Sequence, residues 1–140
     1  MKYFILSPEV AGHLGEHTIM NRTVHPPKVS RLHYELDGWL GDELLETFPC
    51  FVLTRELADA LRDAELTGLG FGEVEVTTSA QFKELYPERS VPSFVWLRPT
   101  GESAKHDLAL DKDARLVVSE RALDIFRSRN LENCDLMGCE

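Results

Sequence analysis

Residues 51–62 read FVLTRELADALR, and residues 116–127 read LVVSERALDIFR. Each segment begins with a short apolar run typical of a buried strand and continues with apolar residues at helical spacing. Thr54 and Ser119 stand at the junctions, where a side-chain oxygen can accept a hydrogen bond from an unpaired N–H of the first helical turn. We therefore predict two strand–helix units, each with a hydroxyl residue as its N-cap.

The similarity between the two units extends beyond these segments. Aligning Thr54 with Ser119 sets an offset of 65 positions, the difference between the two residue numbers, and relates residues 51–71 to residues 116–136. The pairs of identical residues at this offset are Val52 with Val117, Asp59 with Asp124, Arg62 with Arg127, and Leu66 with Leu131. We interpret this as duplicated architecture within one domain. Chance similarity between two common strand–helix units is the alternative.

Length and composition indicate one globular domain. The chain has 140 residues, 43% of them hydrophobic, which is enough to bury a core, and no low-complexity tract divides it. Strand-like and helix-like segments follow each other in mixed order, with a turn predicted at residues 99–102. This order favours a single α+β domain over residues 1–140, with a mostly antiparallel or mixed sheet that includes the two similar strand–helix units.

Periodicity and turn residues predict the remaining elements. The predicted strands are residues 2–7, 31–36, 72–77, 93–98 and 104–110, the last two as a hairpin, with residues 131–136 closing the sheet. A short helix is predicted to begin near Asp42, and another lies between the capping box of Thr78 and Gln81 and the helix-ending Pro87. Residues 8–27 contain glycines and prolines without a sustained period and are predicted to be irregular.

The net charge of −9 narrows the choice of partner. An acidic surface repels nucleic acid and anionic membranes, so we expect neither as a partner. It would attract a basic protein, although solubility alone also explains an acidic composition.

Two features favour a cytoplasmic protein with reduced thiols. The apolar run from Tyr3 to Leu6 is too short for a signal-peptide core, and no run reaches the length of a membrane span. The three cysteines are an odd number, and Cys134 and Cys139 lack the second ligand pair that a structural zinc site needs. We expect neither a metal nor a cofactor.

The segment HLGEH, which begins at His13, matches the inverted zinc-peptidase pattern H-x-x-E-H. In that chemistry His13 and His17 bind zinc from one helical face, and Glu16 activates a water molecule. Two glycines weaken a helix here, and no third ligand can be located. We favour loop histidines and keep a metal-dependent hydrolase as the alternative. His25 and His33 are expected at the surface or on an edge strand.

Residues 35–46, ELDGWLGDELLE, combine five acidic residues and no basic residue with a tryptophan between two glycine turns. Tryptophan is enriched among the residues that dominate binding energy at interfaces, and the acids around it would steer a basic partner. The predicted partner-binding surface consists of Glu35, Asp37, Trp39, Asp42, Glu43 and Glu46. The alternative is that Trp39 anchors the core and that the acids only face solvent.

Several stretches also carry a resemblance to a known group of proteins. They are LHYELDGWLGDELLETFPCFVLT at residues 32–54, FVWL at 94–97, and LVVSERALDIF with a later NL at 116–131. Together with the initial MKYFIL, they resemble small bacterial proteins that are suspected to be immunity proteins of polymorphic toxin systems. The resemblance implies a cytoplasmic, non-enzymatic protein that binds a cognate toxin and blocks it, and it carries over no functional residue.

The predicted partner is therefore a cognate toxin with a basic active site, such as that of a nuclease. The acidic and aromatic surface described above would cover that site. A structural or regulatory interaction module is the remaining alternative, and self-association into a homodimer is also open.

Overall fold

The computed structural model describes residues 2–139 and confirms the α+β prediction. Within this range the chain has three helices, and its twelve strands form three four-stranded sheets. None of these helices is long and apolar enough to span a membrane. The helices are α1 (Arg55–Asp63), α2 (Ala80–Leu85) and α3 (Glu120–Arg127). The strands are β1 (Tyr3–Ser7), β2 (Gly12–Leu14), β3 (Ile19–Asn21), β4 (Lys28–Leu36), β5 (Leu44–Thr47), β6 (Cys50–Thr54), β7 (Leu69–Gly72), β8 (Val74–Thr78), β9 (Phe94–Pro99), β10 (Leu108–Leu110), β11 (Leu116–Ser119) and β12 (Asp135–Cys139).

Two of the three sheets have the same architecture. Their strand orders are β10-β11-β1-β12 and β5-β6-β9-β7, and every pairing in both sheets is antiparallel. In each sheet the strand before a helix pairs with a strand that is distant in sequence, and the strand after the helix lies on the far side of that distant strand. The two strand–helix units are therefore similar in tertiary structure as well as in sequence.

The pairing register keeps the 65-residue offset. Thr54 pairs with Phe94 in one sheet, and Ser119 pairs with Tyr3 in the other. The two matching central strands read FVWLRP from Phe94 and YFILSP from Tyr3. Each half of the chain thus supplies a central strand, a hairpin, a helix and an edge strand. The central strand of each half completes the sheet of the other half.

The two strand–helix units share one hydrophobic core. The side chain of Thr54 accepts a hydrogen bond from the Leu57 N–H at 3.2 Å, and Ser119 accepts one from the Ala122 N–H at 3.2 Å, which confirms both predicted N-caps. The buried side chains that the units contribute include Leu53, Leu57, Leu61, Val118, Leu123 and Phe126. Burial of each large apolar side chain contributes about 1.5–3 kcal/mol, so packing between the halves stabilises both.

The third sheet is formed by segments that connect the parts of this duplicated framework. β4 pairs antiparallel with β2 and β3 on one side and parallel with β8 on the other. Tyr34 and Leu36 of β4 and Val76 of β8 pack over Val52 and Trp96 in a second core. Because successive side chains of a strand point to opposite faces, His33 and Glu35 of β4 and their partners Glu75 and Thr77 of β8 lie on the outward face of this sheet.

Three predictions that concern strand pairing are wrong, and the N-cap of α2 is Ser79 instead of Thr78. The segment after Asp42 forms the strand β5 and not a helix, because its short apolar run pairs with β6. Residues 104–110 do not form a hairpin with residues 93–98, since β10 pairs with β11. Residues 8–27 are not wholly irregular but contain β2 and β3, which both pair with β4. In all three cases the outcome depends on which strand becomes the partner.

Candidate functional site

The six residues predicted to bind a partner do not form one surface. Asp42 is fully buried, and only 16% of the Glu43 side chain is exposed. Of the six, only Asp37 and Trp39 line the surface cleft described below.

Asp42 joins two distant parts of the chain. Its carboxylate accepts hydrogen bonds from the backbone N–H and from the side-chain amide of Asn133, both at 2.9 Å. Its own backbone N–H donates to the carboxylate of Glu9 at 3.4 Å. Burial of Glu9 raises the pKa of that carboxyl above its usual range. Asp42 therefore supports the fold, and its carboxylate is closed to a partner in this conformation.

Glu43 is the centre of a hydrogen-bonded ion pair. Its carboxylate accepts from the Thr54 hydroxyl at 2.8 Å, from the Arg129 guanidinium at 2.8 Å and from the Asn130 backbone N–H at 3.1 Å. Burial acts to raise the pKa of Glu43, but these hydrogen bonds outweigh burial, and the pKa is lowered. The ionised carboxylate is thus occupied within the fold.

Glu35 and Glu46 lie in two further environments. Glu46 is partly buried between the buried residues Leu45 and Thr47, and this burial raises the pKa of its carboxyl. The Glu35 carboxylate lies 3.5 Å from His13 Nε2 and 3.4 Å from Thr77 Oγ1 on the outward face of the third sheet. The contiguous acidic stretch is therefore dispersed, because the strands direct successive side chains to opposite faces.

A surface cleft of about 320 Å³ lies beside Trp39, and we call it the Trp39 cleft. Its lining residues come from segments 9–12, 37–40 and 81–86. Among residues 2–139 the three most exposed large hydrophobic side chains all line this cleft: Val10 (67% exposed), Leu40 (64%) and Leu85 (58%). Exposed apolar side chains grouped in this way are typical of a binding surface.

Trp39 is held firmly in the wall of the cleft. Its indole N–H donates to the Asp42 carbonyl at 2.9 Å, and its ring meets Phe94 edge-to-face with 6.1 Å between ring centres. The Arg89 guanidinium lies 4.9 Å from the centre of the Trp39 ring, within the range of a cation–π contact. Trp39 therefore supports the second core and also presents an aromatic surface to the cleft.

Asp37 supplies an acidic group at the edge of the cleft. Its carboxylate oxygen is hydrogen-bonded to His13 Nδ1 at 2.8 Å. Burial acts to raise the pKa of Asp37, but hydrogen bonds from His13 and Ser79 outweigh burial, and the pKa is lowered. An ionised carboxylate beside exposed apolar side chains gives the cleft a mixed acidic and apolar character.

Comparison of the chain with protein-family models, with curated proteins and with solved structures found no match. What the chain binds must therefore be inferred from its own surface chemistry. The Trp39 cleft combines aromatic, apolar and acidic side chains on one surface.

The HLGEH segment does not form the helix that zinc-peptidase chemistry requires. His13 lies on β2, and His17 lies in the turn that follows it. The two imidazoles belong to separate clusters, since His13 faces Asp37 while His17 Nδ1 lies 3.0 Å from the Glu75 carboxylate. His33, expected at the surface or on an edge strand, is instead buried in β4, which has strand partners on both sides.

Sequence analysis missed Val10, Leu85 and Tyr86 as members of the cleft. For Leu85 the sequence held a weak indication of exposure, because a helix as short as α2 can bury few apolar side chains. α2 has only six residues and buries only Phe82. Val10 carried none, since it lies in a segment without a period. The three residues converge only because the backbone of Glu9 bridges to β5 and α2 follows β8 against β4.

Proposed function

We propose that this chain is an immunity protein that binds a cognate bacterial toxin through the Trp39 cleft and blocks the toxin by occlusion. The observation that carries the proposal is the convergence of Val10, Leu40 and Leu85 on one cleft. Exposed apolar side chains grouped in this way expose a free protein to aggregation unless a partner covers them. The resemblance to immunity proteins suggests a toxin as that partner.

The Trp39 cleft has the chemistry of an interface core. Trp39 and Tyr86 provide aromatic walls, and aromatic residues of these two types supply much of the binding energy at protein interfaces. Leu40 and Leu85 would exclude water around a side chain that enters between them. We expect the toxin to insert an apolar or aromatic side chain there.

Charge favours a basic toxin. The chain carries a net charge of −9, and Asp37 is ionised at the edge of the cleft. Glu84 and Glu88 are exposed next to the lining residues of α2 and the segment that follows it. Negative charges around an apolar centre speed the encounter with a basic surface, and salt weakens this effect.

The walls of the cleft are connected before any partner binds. The Glu9 carboxylate accepts from the Leu40 backbone N–H at 2.7 Å, and the Tyr34 hydroxyl accepts from the Ala11 N–H at 3.0 Å. A preformed site loses less conformational entropy on binding than a flexible one. Such a surface can block a toxin by covering its active site, without a bond-breaking step of its own.

The test compares the same substitution inside and outside the cleft. Leu40→Glu places a charge in the cleft, while Ile19→Glu places the same charge on β3, at a side chain that is 56% exposed and does not line the cleft. Binding to a candidate toxin domain from the same genome is measured by calorimetry, and protection by survival of cells that express that domain. We expect Leu40→Glu to weaken binding at least about 30-fold, which is about 2 kcal/mol, and to abolish protection.

Ile19→Glu is the matched control and should bind and protect like the wild type. Trp39 is unsuitable for this test, because its indole N–H and its ring also support the fold. Full protection by a folded Leu40→Glu variant would exclude the cleft as the binding surface. Absence of binding by the wild-type chain would exclude the immunity function for that toxin.

A further inference from the structure

Three metal-ligating side chains meet on the outward face of the third sheet, outside the Trp39 cleft. His33 of β4 and Glu75 of β8 are register partners in the parallel pair, and His17 lies above them in the turn after β2. Each of the three side chains offers one atom that could bind a metal ion, and these three atoms all lie within 4.8 Å of one another. These contacts bring together residues from three separate segments of the chain.

His33 is pre-oriented for a ligand role. His33 is only 2% exposed, and the Nε2 atom of its ring lies 2.7 Å from Thr77 Oγ1. Its Nδ1 accepts the His17 backbone N–H at 3.2 Å, so the Nδ1 atom has the lone pair and Nε2 carries the proton that it donates to Thr77. A hydrogen bond from the second ring nitrogen fixes the tautomer and orientation of metal-binding histidines in the same way.

The lone pair on His33 Nδ1 accepts only one long hydrogen bond, and Gly15 packs against the ring beside it. A hydrogen bond of 3.2 Å is at the long end of the usual range, so a cation can replace the N–H as its partner. Gly15 packs directly on the ring, and a Cβ at this position would collide with the His33 imidazole. Glycine is therefore required at residue 15 for the ring to keep this position.

His17 and Glu75 already have the separation of two ligands on one ion. His17 Nδ1 lies 3.0 Å from both carboxylate oxygens of Glu75. Two neighbouring ligand atoms at about 2.0–2.2 Å from a zinc ion are separated by a similar distance. The His17 ring is stacked on His33 with 4.9 Å between ring centres. Half of the His17 side chain is exposed, so the ring can rotate to place its nitrogen on a shared ion.

We propose that His17, His33 and Glu75 bind one divalent transition-metal ion, zinc(II) by preference, with water in the remaining coordination positions. Two imidazoles and one carboxylate form a ligand set that zinc commonly accepts. Binding requires the His17 imidazole to lose its hydrogen bond to Glu75 and the His17 backbone N–H to leave His33 Nδ1, and it places the ion between the three side chains. The three ligands are outside the Trp39 cleft, so this site is independent of the proposed toxin binding.

A neighbouring cluster of His13, Glu35 and Asp37 provides an internal comparison. It also offers three ligand-type side chains, with His13 Nδ1 2.8 Å from Asp37 and His13 Nε2 3.5 Å from Glu35. It contains only one imidazole, and all three residues are at least partly exposed. Because nitrogen ligands contribute strongly to zinc affinity, we assign the ion to the cluster with two imidazoles.

The experiment measures metal binding by the full chain. Protein freed of metal by a chelator is titrated with Co²⁺, whose visible absorption reports nitrogen and oxygen ligands, and then with Zn²⁺ in calorimetry. We expect one ion per chain, with affinity lowered at least about tenfold in both His17→Ala and Glu75→Gln. His13→Ala is the matched control, since His13 is equally exposed and also faces carboxylates, and it should bind the ion like the wild type.

Circular dichroism and thermal unfolding in the presence of chelator establish that each variant is folded. Nitrogen NMR of the imidazoles adds a direct readout, in which the His33 Nδ1 resonance should shift on addition of Zn²⁺. The proposal is overturned if the wild type binds no ion. It is also overturned if His13→Ala loses the ion while folded His17→Ala and Glu75→Gln retain it.

Discussion

Glu43 and Asp107 occupy equivalent positions in the two similar sheets, each directly before the first strand of a hairpin. Glu43 accepts a hydrogen bond from the cap residue Thr54 at 2.8 Å, and Asp107 accepts one from the cap residue Ser119 at 2.7 Å. Each carboxylate is also bound by an arginine. Each accepts a backbone N–H from the segment that follows the helix of the other half. The hydrogen bonds from Asn130 to Glu43 and from Thr67 to Asp107 therefore each connect one half of the chain to the other.

The two carboxylates differ in burial and in the origin of their arginine. The Asp107 side chain is 5% exposed, compared with 16% for Glu43. Arg121, which binds Asp107, lies in the first turn of α3, within the same half of the chain. Arg129, which binds Glu43, follows α3 and therefore belongs to the opposite half. The same structural role is thus filled by different residue types from different positions, and sequence identity alone does not reveal it.

This comparison explains why Glu43 was assigned to a partner-binding surface. Acidic residues near a tryptophan resemble an interface when only their spacing is known. The equivalence with Asp107 shows that a carboxylate before the hairpin serves the helix cap and the contact between halves. The residues around Asp107 mix acidic side chains with lysines and contain no tryptophan, and sequence analysis therefore did not select it.

The largest expected effect is the loss of either carboxylate. Asp107→Ala would leave the fully buried Ser119 hydroxyl and the Thr67 N–H without their acceptor, and we expect it to lower the free energy of unfolding by about 3–4 kcal/mol. Glu43→Ala should cost about 2 kcal/mol, because its surroundings are more exposed. Urea unfolding followed by circular dichroism measures both.

Asp63→Ala is the control for these variants, since Asp63 is exposed, and it should change stability by less than about 0.5 kcal/mol. Equal losses for Asp107→Ala and Glu43→Ala would show that burial does not distinguish the two positions.

The next effect is a dependence of stability on acid. Hydrogen bonds, led by that from Arg121, hold the pKa of Asp107 well below its usual range, and those from Arg129, Asn130 and Thr54 outweigh burial to lower the pKa of Glu43. A carboxyl whose pKa is lower in the folded state stabilises the fold at every pH above its unfolded value of about 4. That contribution is lost as the pH falls through the folded value.

We therefore expect the urea midpoint of the wild type to fall as the pH is lowered from about 4. Asp107→Asn should be less stable at neutral pH and should lose less of its remaining stability on acidification. Glu43→Gln should show the same behaviour to a smaller degree. Parallel pH profiles for the wild type and Asp107→Asn would contradict the assigned role of this carboxylate.

The smallest effect is expected for Glu56, the second acidic residue that Arg129 binds after Glu43. Glu56 lies 2.8 Å from Arg129, but its side chain is 80% exposed. Ion pairs in such positions contribute little, so Glu56→Gln should change the free energy of unfolding by less than about 0.5 kcal/mol. Arg129→Met should destabilise more, because it leaves the largely buried Glu43 without its cation. Thermal unfolding of the two variants side by side measures the difference.

Sequence analysis was most successful where the interactions that specify a structure are local. Thr54 and Ser119 were identified as caps because a cap and its acceptor lie within one turn of helix. The apolar spacing after each cap predicted which side of α1 and α3 is buried. The helix expected near Asp42 shows the limit of this approach, because a short apolar run suits a strand as well as a helix until its partner is known.

The candidate site was recognised only in part for a similar reason. The acidic and aromatic composition of residues 35–46 drew attention to Asp37 and Trp39, which line the Trp39 cleft. It could not separate them from Asp42 and Glu43, whose carboxylates contact residues 91 and 86 positions away in the chain.

The amino-acid pattern was therefore sufficient for the α+β class, for the two capped strand–helix units and for the acidic character that favours a basic partner. Folding in three dimensions was needed to exchange the central strands, to bury Asp42, to gather Val10, Leu40 and Leu85 at one cleft and to bring His17 to Glu75. The physical reason is that periodicity and capping act over a few residues, whereas a strand can pair with any distant strand whose apolar face and register match its own.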